Sequence, residues 1–223
     1  MISKRKIKKW ILGKTWQRYI THKISRDTIF KIDDIKINVS EGVFHPQYFY
    51  STKYFIDFIK SIDISQHHFL ELGCGSGLIS VFAYNRGAIV TAIDISKKAV
   101  ENTISNVRNN DAKATVIVSD LFDELTDKKY DTIFINPPYF KKQPVAEKDY
   151  AWYCGNELQY FHKLFSQLKN HLSQDGNAFM ILSDECDISG IKNICIKHHF
   201  SWQQEKVYMN WLEKNFIFKI KAV

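Results

Sequence analysis

Asn136-Pro137-Pro138-Tyr139 follows directly on the apolar run Asp131–Ile135, and no other stretch of this chain is better equipped for chemistry. Two consecutive prolines cannot donate backbone hydrogen bonds, so they end a central strand and leave the neighbouring carbonyls available. Asn136 adds an amide oxygen, Pro137 a carbonyl on backbone of fixed φ, and Tyr139 an aromatic ring. Together these suit a planar group bearing an NH2: two oxygens take the N–H protons, and the ring covers the face and sets its tilt. The lone pair of such a nitrogen is delocalised and poorly nucleophilic, so gripping its protons biases electron density back toward nitrogen. Positioning of this kind is worth roughly 7–11 kcal/mol at best, and acceptors preorganised for developing positive charge add to it.

A second cluster lies at Phe69-Leu-Glu-Leu-Gly-Cys-Gly-Ser-Gly77, the first strand-to-helix turn of a βα pattern. In open α/β sheets ligands bind beyond the strand carboxyl ends, where strand order reverses. Gly73, Gly75 and Gly77 let the backbone of Cys74 and its neighbours turn tightly and approach a ligand. The pattern is G-x-G-x-G, with Leu78 where a dinucleotide fingerprint needs its third glycine, which argues against a nicotinamide or flavin cofactor. Asp94 ends the next strand, ahead of Ser96 as a helix N-cap. A carboxylate there can accept from both hydroxyls of a ribose. Asp120 ends the third strand, where it can take the exocyclic amine of adenine, and Ile95 and Leu121 adjoin these two positions. Glu71 is placed to orient the glycine loop or a ligand ammonium.

To position these groups the chain must alternate strand and helix. Strands are expected at 68–72, 89–93, 114–118, 131–135 and 177–182, and helices at 77–86, 96–109, 156–171 and 187–198. Two β segments near 203–209 and 214–221 should pair antiparallel. The fold class expected is therefore α/β, a doubly wound and mostly parallel sheet. Ahead of it, residues 28–39 alternate as one or two short strands, residues 42–46 form a loop, and Thr52 to Ile62 reads as an amphipathic helix. The domain is placed at 40–223 and an N-terminal extension at 1–39.

That extension is where the charge lies. Of the formal net charge of +7, residues 1–30 contribute nine basic residues against the single acid Asp27, so the body is nearly neutral. Ile7, Ile11, Trp16, Tyr19, Ile20 and Ile24 recur between the basic residues at helical spacing. Such an arm could lie on RNA, an acidic protein or an anionic membrane, or dock on its own domain. No run approaches the roughly 18 apolar residues of a transmembrane span, and charges interrupt any signal-like segment. Cys74, Cys154, Cys186 and Cys195 form no C-x-x-C pair and share no zinc-like spacing with the histidines, so no metal is expected and reduced thiols fit a cytoplasmic location.

The series Glu71-Leu-Gly-Cys-Gly-Ser-Gly77, Asp94, Asp120 and Asn136-Pro-Pro-Tyr139 resembles the class I S-adenosylmethionine-dependent methyltransferases, and within them the small methyltransferase domain group, across roughly residues 40–185. The resemblance implies a Rossmann-like seven-stranded sheet ending in an antiparallel hairpin, with S-adenosyl-L-methionine across Gly73–Gly77, its ribose on Asp94 and its adenine near Asp120. It implies transfer of a methyl group to an amide or exocyclic amino nitrogen held by Asn136, Pro137 and Tyr139, with Pro138, Phe44 and Thr52 contributing to the acceptor site. No general base is obligatory there, so no histidine or cysteine is assigned one.

Members of this group modify glutamine amides of proteins, adenine N6 or guanine N2. Gly42-Val43-Phe44 looks like the segment ahead of the core in rRNA guanine enzymes. Cys154-Gly-Asn-Glu-Leu158 occupies the place of a glycine-containing stretch in release-factor glutamine enzymes. The latter carry a sizeable N-terminal helical bundle, whereas here fewer than about 40 residues, rich in lysine and arginine, precede the domain. A basic arm for phosphates, plus Tyr139, Phe140, Trp152 and Tyr153 near the acceptor, favours RNA over protein as the macromolecular partner. A SAM-fold module that binds without catalysis is the alternative outside enzymes. The segment Phe140–Tyr153, with Lys141, Lys142 and Lys148, is read as a mobile substrate loop.

Overall fold

A computed structural model describes residues 26–210 and 213–223. The expectations for the basic arm fall outside these residues, apart from its last few positions. A two-residue turn with Asp33 in the left-handed region joins β1 (Thr28–Ile32) to β2 (Ile35–Val39). There follow α1 (Tyr50–Ile59), β3 (His68–Leu72), α2 (Leu78–Asn85), β4 (Ile89–Asp94), α3 (Lys97–Asn109), β5 (Ala114–Val118) and β6 (Tyr130–Ile135). A 3-10 turn at Glu147–Asp149 precedes α4 (Gln159–His171), β7 (Leu172–Ser183), α5 (Ile188–Lys197), β8 (Phe200–Met209) and β9 (Lys214–Ala222).

Seven strands form one sheet in the order β5-β4-β3-β6-β7-β9-β8. β5, β4, β3, β6 and β7 pair in parallel, and β9 runs antiparallel to both β7 and β8. The doubly wound α/β sheet with an antiparallel C-terminal hairpin is therefore as the sequence pattern indicated. β7 is the main departure in extent. It begins at Leu172 rather than near 177, because Ser173-Gln-Asp-Gly176 reads as a turn but folds as an irregular strand start against β6. Gly176 is needed there, since a Cβ would lie 2.8 Å from the Tyr130 carbonyl.

Two apolar layers sandwich the sheet. α4 and α5 cover one face through Phe161, Leu164, Phe165, Leu168 and Ile191. α1, α2 and the β1–β2 hairpin cover the other through Phe55, Ile59, Leu78, Val81, Ile35 and Ile37. All of the first six residues of α2 are buried, so this helix shows no polar stripe and is enclosed on every side.

The hairpin is held by a device the periodicity did not reveal. Asn102 and Asn106 on α3, with Asn110 at its C-cap, stand at i, i+4 and i+8 along one face and act as a substitute strand edge for β2. Their side-chain oxygens accept from Ser40 N (3.1 Å), Asn38 N (2.9 Å) and Lys36 N (3.0 Å). Their amide nitrogens donate back, Asn102 and Asn106 to the Asn38 carbonyl and Asn110 to the Lys36 carbonyl. Asn106 also donates to the Ser76 carbonyl at 2.9 Å, which ties the hairpin to the glycine turn. Among the described residues no helix is long and apolar enough to cross a membrane.

Candidate functional site

Chain order reverses between β3 and β6: β4 and β5 build outward on one side, and β6 then pairs with the other edge of β3. This is the switch point at which open α/β sheets bind ligands. Leu72 and Ile135 are register partners, so the glycine turn after β3 and the Asn136 corner after β6 begin side by side. A Cβ built on Gly73 would lie 4.0 Å from the Asn136 carbonyl oxygen. Parallel pairing thus places the two chemically suggestive segments in one cleft, of about 890 Å3.

On the β4 and β5 side the cleft is acidic. Asp94 Oδ2 accepts from Gly75 N and its Oδ1 from Ser96 N, both at 2.9 Å, so the carboxylate is fixed against the glycine turn. Burial pushes its pKa up, and the N–H donors partly offset this. Ser96 caps α3 through Ala99 N and donates its hydroxyl to Glu147 Oε1 at 2.9 Å, which joins the segment after Asn136 to the Asp94 corner. Asp120 is exposed at the end of β5, and its Oδ2 pairs with Lys163 of α4 at 2.7 Å. Leu121, with φ of 55°, is buried beside it.

Glu71 is buried, 7% exposed, and accepts a short hydrogen bond from Ser80 Oγ. Burial raises its pKa to about 8 from 4.5, so it is largely protonated at neutral pH. The folded protein then holds a proton that the unfolded chain releases above pH 4.5, and stability falls as pH rises from there toward 8. This group alone contributes a slope of up to about 1.4 kcal/mol per pH unit. Denaturant unfolding between about pH 5.5 and 8 is expected to show a shallower decline for Glu71→Gln than for the natural sequence. An equal slope in both proteins would mean that the carboxyl is ionised in the folded state.

On the β6 side, Asn136 Nδ2 donates to Ser51 Oγ at 3.2 Å, which fixes the amide and leaves Oδ1 as its acceptor. Pro137 is buried, and among the described residues no backbone donor meets its carbonyl. Tyr139 packs against the core, and its phenol reaches the Ser183 side chain, with burial pushing its pKa up. Opposite stand Phe44, Phe49 and Trp152: Phe44 stacks on Phe49 at 4.4 Å, and Trp152 lies 5.8 and 5.2 Å from the two rings. The Phe140–Tyr153 segment closes on itself through Phe140 N to Trp152 O and Cys154 N to Phe140 O, both 3.0 Å. Lys141 is paired with Asp187 at 2.5 Å and Lys142 sits over the Tyr153 ring, so these two cations face the protein itself.

Of the residues singled out from sequence, Glu71, Gly73, Cys74, Gly75, Asp94, Ile95, Asp120, Leu121, Asn136, Pro137, Pro138, Tyr139, Phe44 and Thr52 all line this cleft. Gly77 stands behind it. Its φ is 74°, and a Cβ at this position would lie only 2.8 Å from Thr103 Cγ2. It therefore serves the turn into α2 and the packing of α3. Cys74 is a buried thiol that accepts from Thr103 Oγ1 at 3.3 Å. Ser51, Ser96, Glu147, Ser183 and Asn215 were not legible as site residues, because each reaches the cleft only through tertiary packing.

Residues 34–209 match the methyltransferase small domain family. Over 160 residues the chain is 30% identical to a release factor glutamine methyltransferase of Lactococcus lactis, covering 66% of this chain and 58% of that one. Over 120 residues it is 32% identical to a tRNA1(Val) adenine-N6-methyltransferase of Pedobacter heparinus, covering 51% and 50%. It thus spans only about half of the length of either relative. The fold also matches a T. thermophilus 16S rRNA guanine N2-methyltransferase solved with AdoMet and guanosine, with TM-score 0.66 and 16% identity over 89% of this chain and 50% of that one. Fold and site together define a class I methyltransferase. The chain belongs to the methyltransferase small domain family, whose members use S-adenosylmethionine.

The residues present fit that cofactor. Gly73 and Gly75 present backbone without side chains to the cleft, Asp94 and Asp120 offer carboxylates for ribose hydroxyls and an adenine amine, and Ile95 and Leu121 supply apolar surface.

Proposed function

We propose that this chain is an N-methyltransferase acting on the planar amino nitrogen of an RNA base, in the cytoplasm. S-adenosylmethionine, when bound, supplies an electrophilic methyl group on a sulfonium. The protein's task is then to hold a poor nucleophile in line with it. The observation that carries the reading is the Asn136 corner. One amide oxygen is fixed by the Ser51 contact, one proline carbonyl has no backbone donor among the described residues, and both stand next to the glycine turn. Asn136 Oδ1 and the Pro137 carbonyl take the two N–H protons of the acceptor and stabilise positive charge developing on nitrogen. Phe44, Phe49 and Trp152 give a base an apolar face to stack on.

RNA is preferred to a protein glutamine because of that aromatic wall and the concentration of basic residues at 1–30. Glutamine has support of its own in the release factor methyltransferase relative. The deciding measurement is transfer of labelled methyl from S-adenosylmethionine into RNA and protein fractions of cells lacking this gene. Label is expected in RNA, and label confined to protein would replace the RNA reading with glutamine.

A further inference from the structure

Four buried side-chain polar atoms among the described residues have no hydrogen-bond partner: Tyr130 Oη, Gln167 Oε1, Asn177 Oδ1 and Asn215 Nδ2. Only Asn215 of these lines the cleft. It is 3% exposed, at the start of β9, and its register partner on β7 is Ser183, the residue that the Tyr139 phenol reaches. Asn215 and Ser183 therefore stand on the same face of the sheet, next to the Asn136 to Tyr139 corner. A buried amide N–H without an acceptor is costly, and folded proteins rarely leave one unmade. One whose neighbours form a binding cleft is explained if the acceptor arrives with the ligand.

We propose that Asn215 is a specificity-determining residue whose Nδ2 donates a hydrogen bond to the lone pair beside the nitrogen that receives the methyl group. This rests on the reading of the Asn136 corner as the holder of that nitrogen. The two sides of the pocket then ask for different things: Asn136 Oδ1 and the Pro137 carbonyl require N–H donors, and Asn215 requires an adjacent acceptor. An adenine edge meets both demands in either orientation, since its N6 amine is flanked by lone pairs at N1 and N7. Guanine N2 meets both demands only with its N3 side turned to Asn215, because its other neighbour is the N1–H donor, which would oppose Asn215 Nδ2. Adenine in RNA, which fits either way round where guanine fits only one, is the substrate class assigned.

The test compares the full-length chain with its Asn215→Leu and Asn215→Asp variants. Each is given labelled S-adenosylmethionine and the RNA and protein fractions of cells lacking the gene. Leucine removes the donor, and aspartate presents lone pairs only. Each variant is expected to lose roughly tenfold or more in kcat/KM for the acceptor. The melting shift produced by S-adenosylhomocysteine should stay as in the natural protein. Asn215→Leu should melt no lower than the natural protein, because the amide nitrogen has no partner in the protein to lose, whereas a purely structural amide would cost stability in both variants. Digested RNA should contain N6-methyladenosine. Full activity of a folded variant would overturn the assignment, and so would a fall in the melting temperature of Asn215→Leu that accounts for its loss of activity. N2-methylguanosine would overturn the adenine substrate. Label in protein alone would instead defeat the RNA reading, and Asn215 would then stand or fall on whether its variants lose that protein methylation.

Discussion

Asn136→Ala lowers kcat by about two orders of magnitude or more, while affinity for S-adenosylmethionine stays within a few-fold: this is the expected result if the corner after β6 holds the acceptor amine. A hundredfold loss corresponds to about 2.7 kcal/mol of transition-state stabilisation, the scale of a preorganised acceptor removed from a site of developing charge. The side chain is well suited to carry such an effect. Its Nδ2 is engaged by Ser51 at 3.2 Å, so Oδ1 is already oriented before any acceptor arrives. The cofactor side has its own supports, Asp94 against Gly75 N and Ser96 N, none of which involves the Asn136 amide. Cofactor binding should therefore survive, and it can be read as thermal stabilisation by S-adenosylhomocysteine, roughly 2.7 kcal/mol at 100 times its Kd. Single-turnover rates with the labelled acceptor fraction give the other half of the measurement. Undiminished turnover by the variant would remove the amide from the mechanism.

The sequence discloses this half of the site because the prolines are local signals. They end β6 and release carbonyls whatever surrounds them, and the glycines and acids at successive strand ends are similarly local. Strand and helix positions from β3 to β6 were legible for the same reason: short apolar runs alternate with amphipathic ones, and the turns between them use glycine, aspartate and asparagine. What the sequence conceals depends on the third dimension. Ser173-Gly176 has the composition of a turn but is drawn into β7 by pairing with β6. Gly77 belongs to the same motif as Gly73 and Gly75, yet it answers to Thr103 across the turn. Lys141 and Lys142 belong to the segment read as a mobile substrate loop, and nothing local announces that Asp187 and the Tyr153 ring are their partners. Asn215 lies in a plain alternating strand, and only the register of β9 against β7 brings it to the cleft.

The asparagine ladder is the clearest case of a concealed structural requirement, and it yields the largest expected effect on stability. Asn106 is fully buried and makes three hydrogen bonds: from Asn38 N, to the Asn38 carbonyl and to the Ser76 carbonyl. Alanine at this position would leave the Asn38 N–H and the Ser76 carbonyl without that partner, each costing about 1–3 kcal/mol when it stays dry. Loss of about 2–4 kcal/mol in denaturant unfolding is expected for Asn106→Ala, with a melting temperature lower by roughly 4–15 °C. Asn110→Ala should cost far less, because its bonds to Lys36 lie in solvent-exposed surroundings where water replaces them. The ladder also reaches the glycine turn through Ser76, so Asn106→Ala is expected to weaken S-adenosylhomocysteine binding as well, while Asn110→Ala leaves it unchanged. Equal small losses for the two variants would show that hydrophobic burial of Ile35, Ile37 and Val39 holds the hairpin without the amides. A steep gradient from Asn110 to Asn106, accompanied by the change in ligand affinity, would place the three asparagines as the strut between the hairpin and the glycine turn.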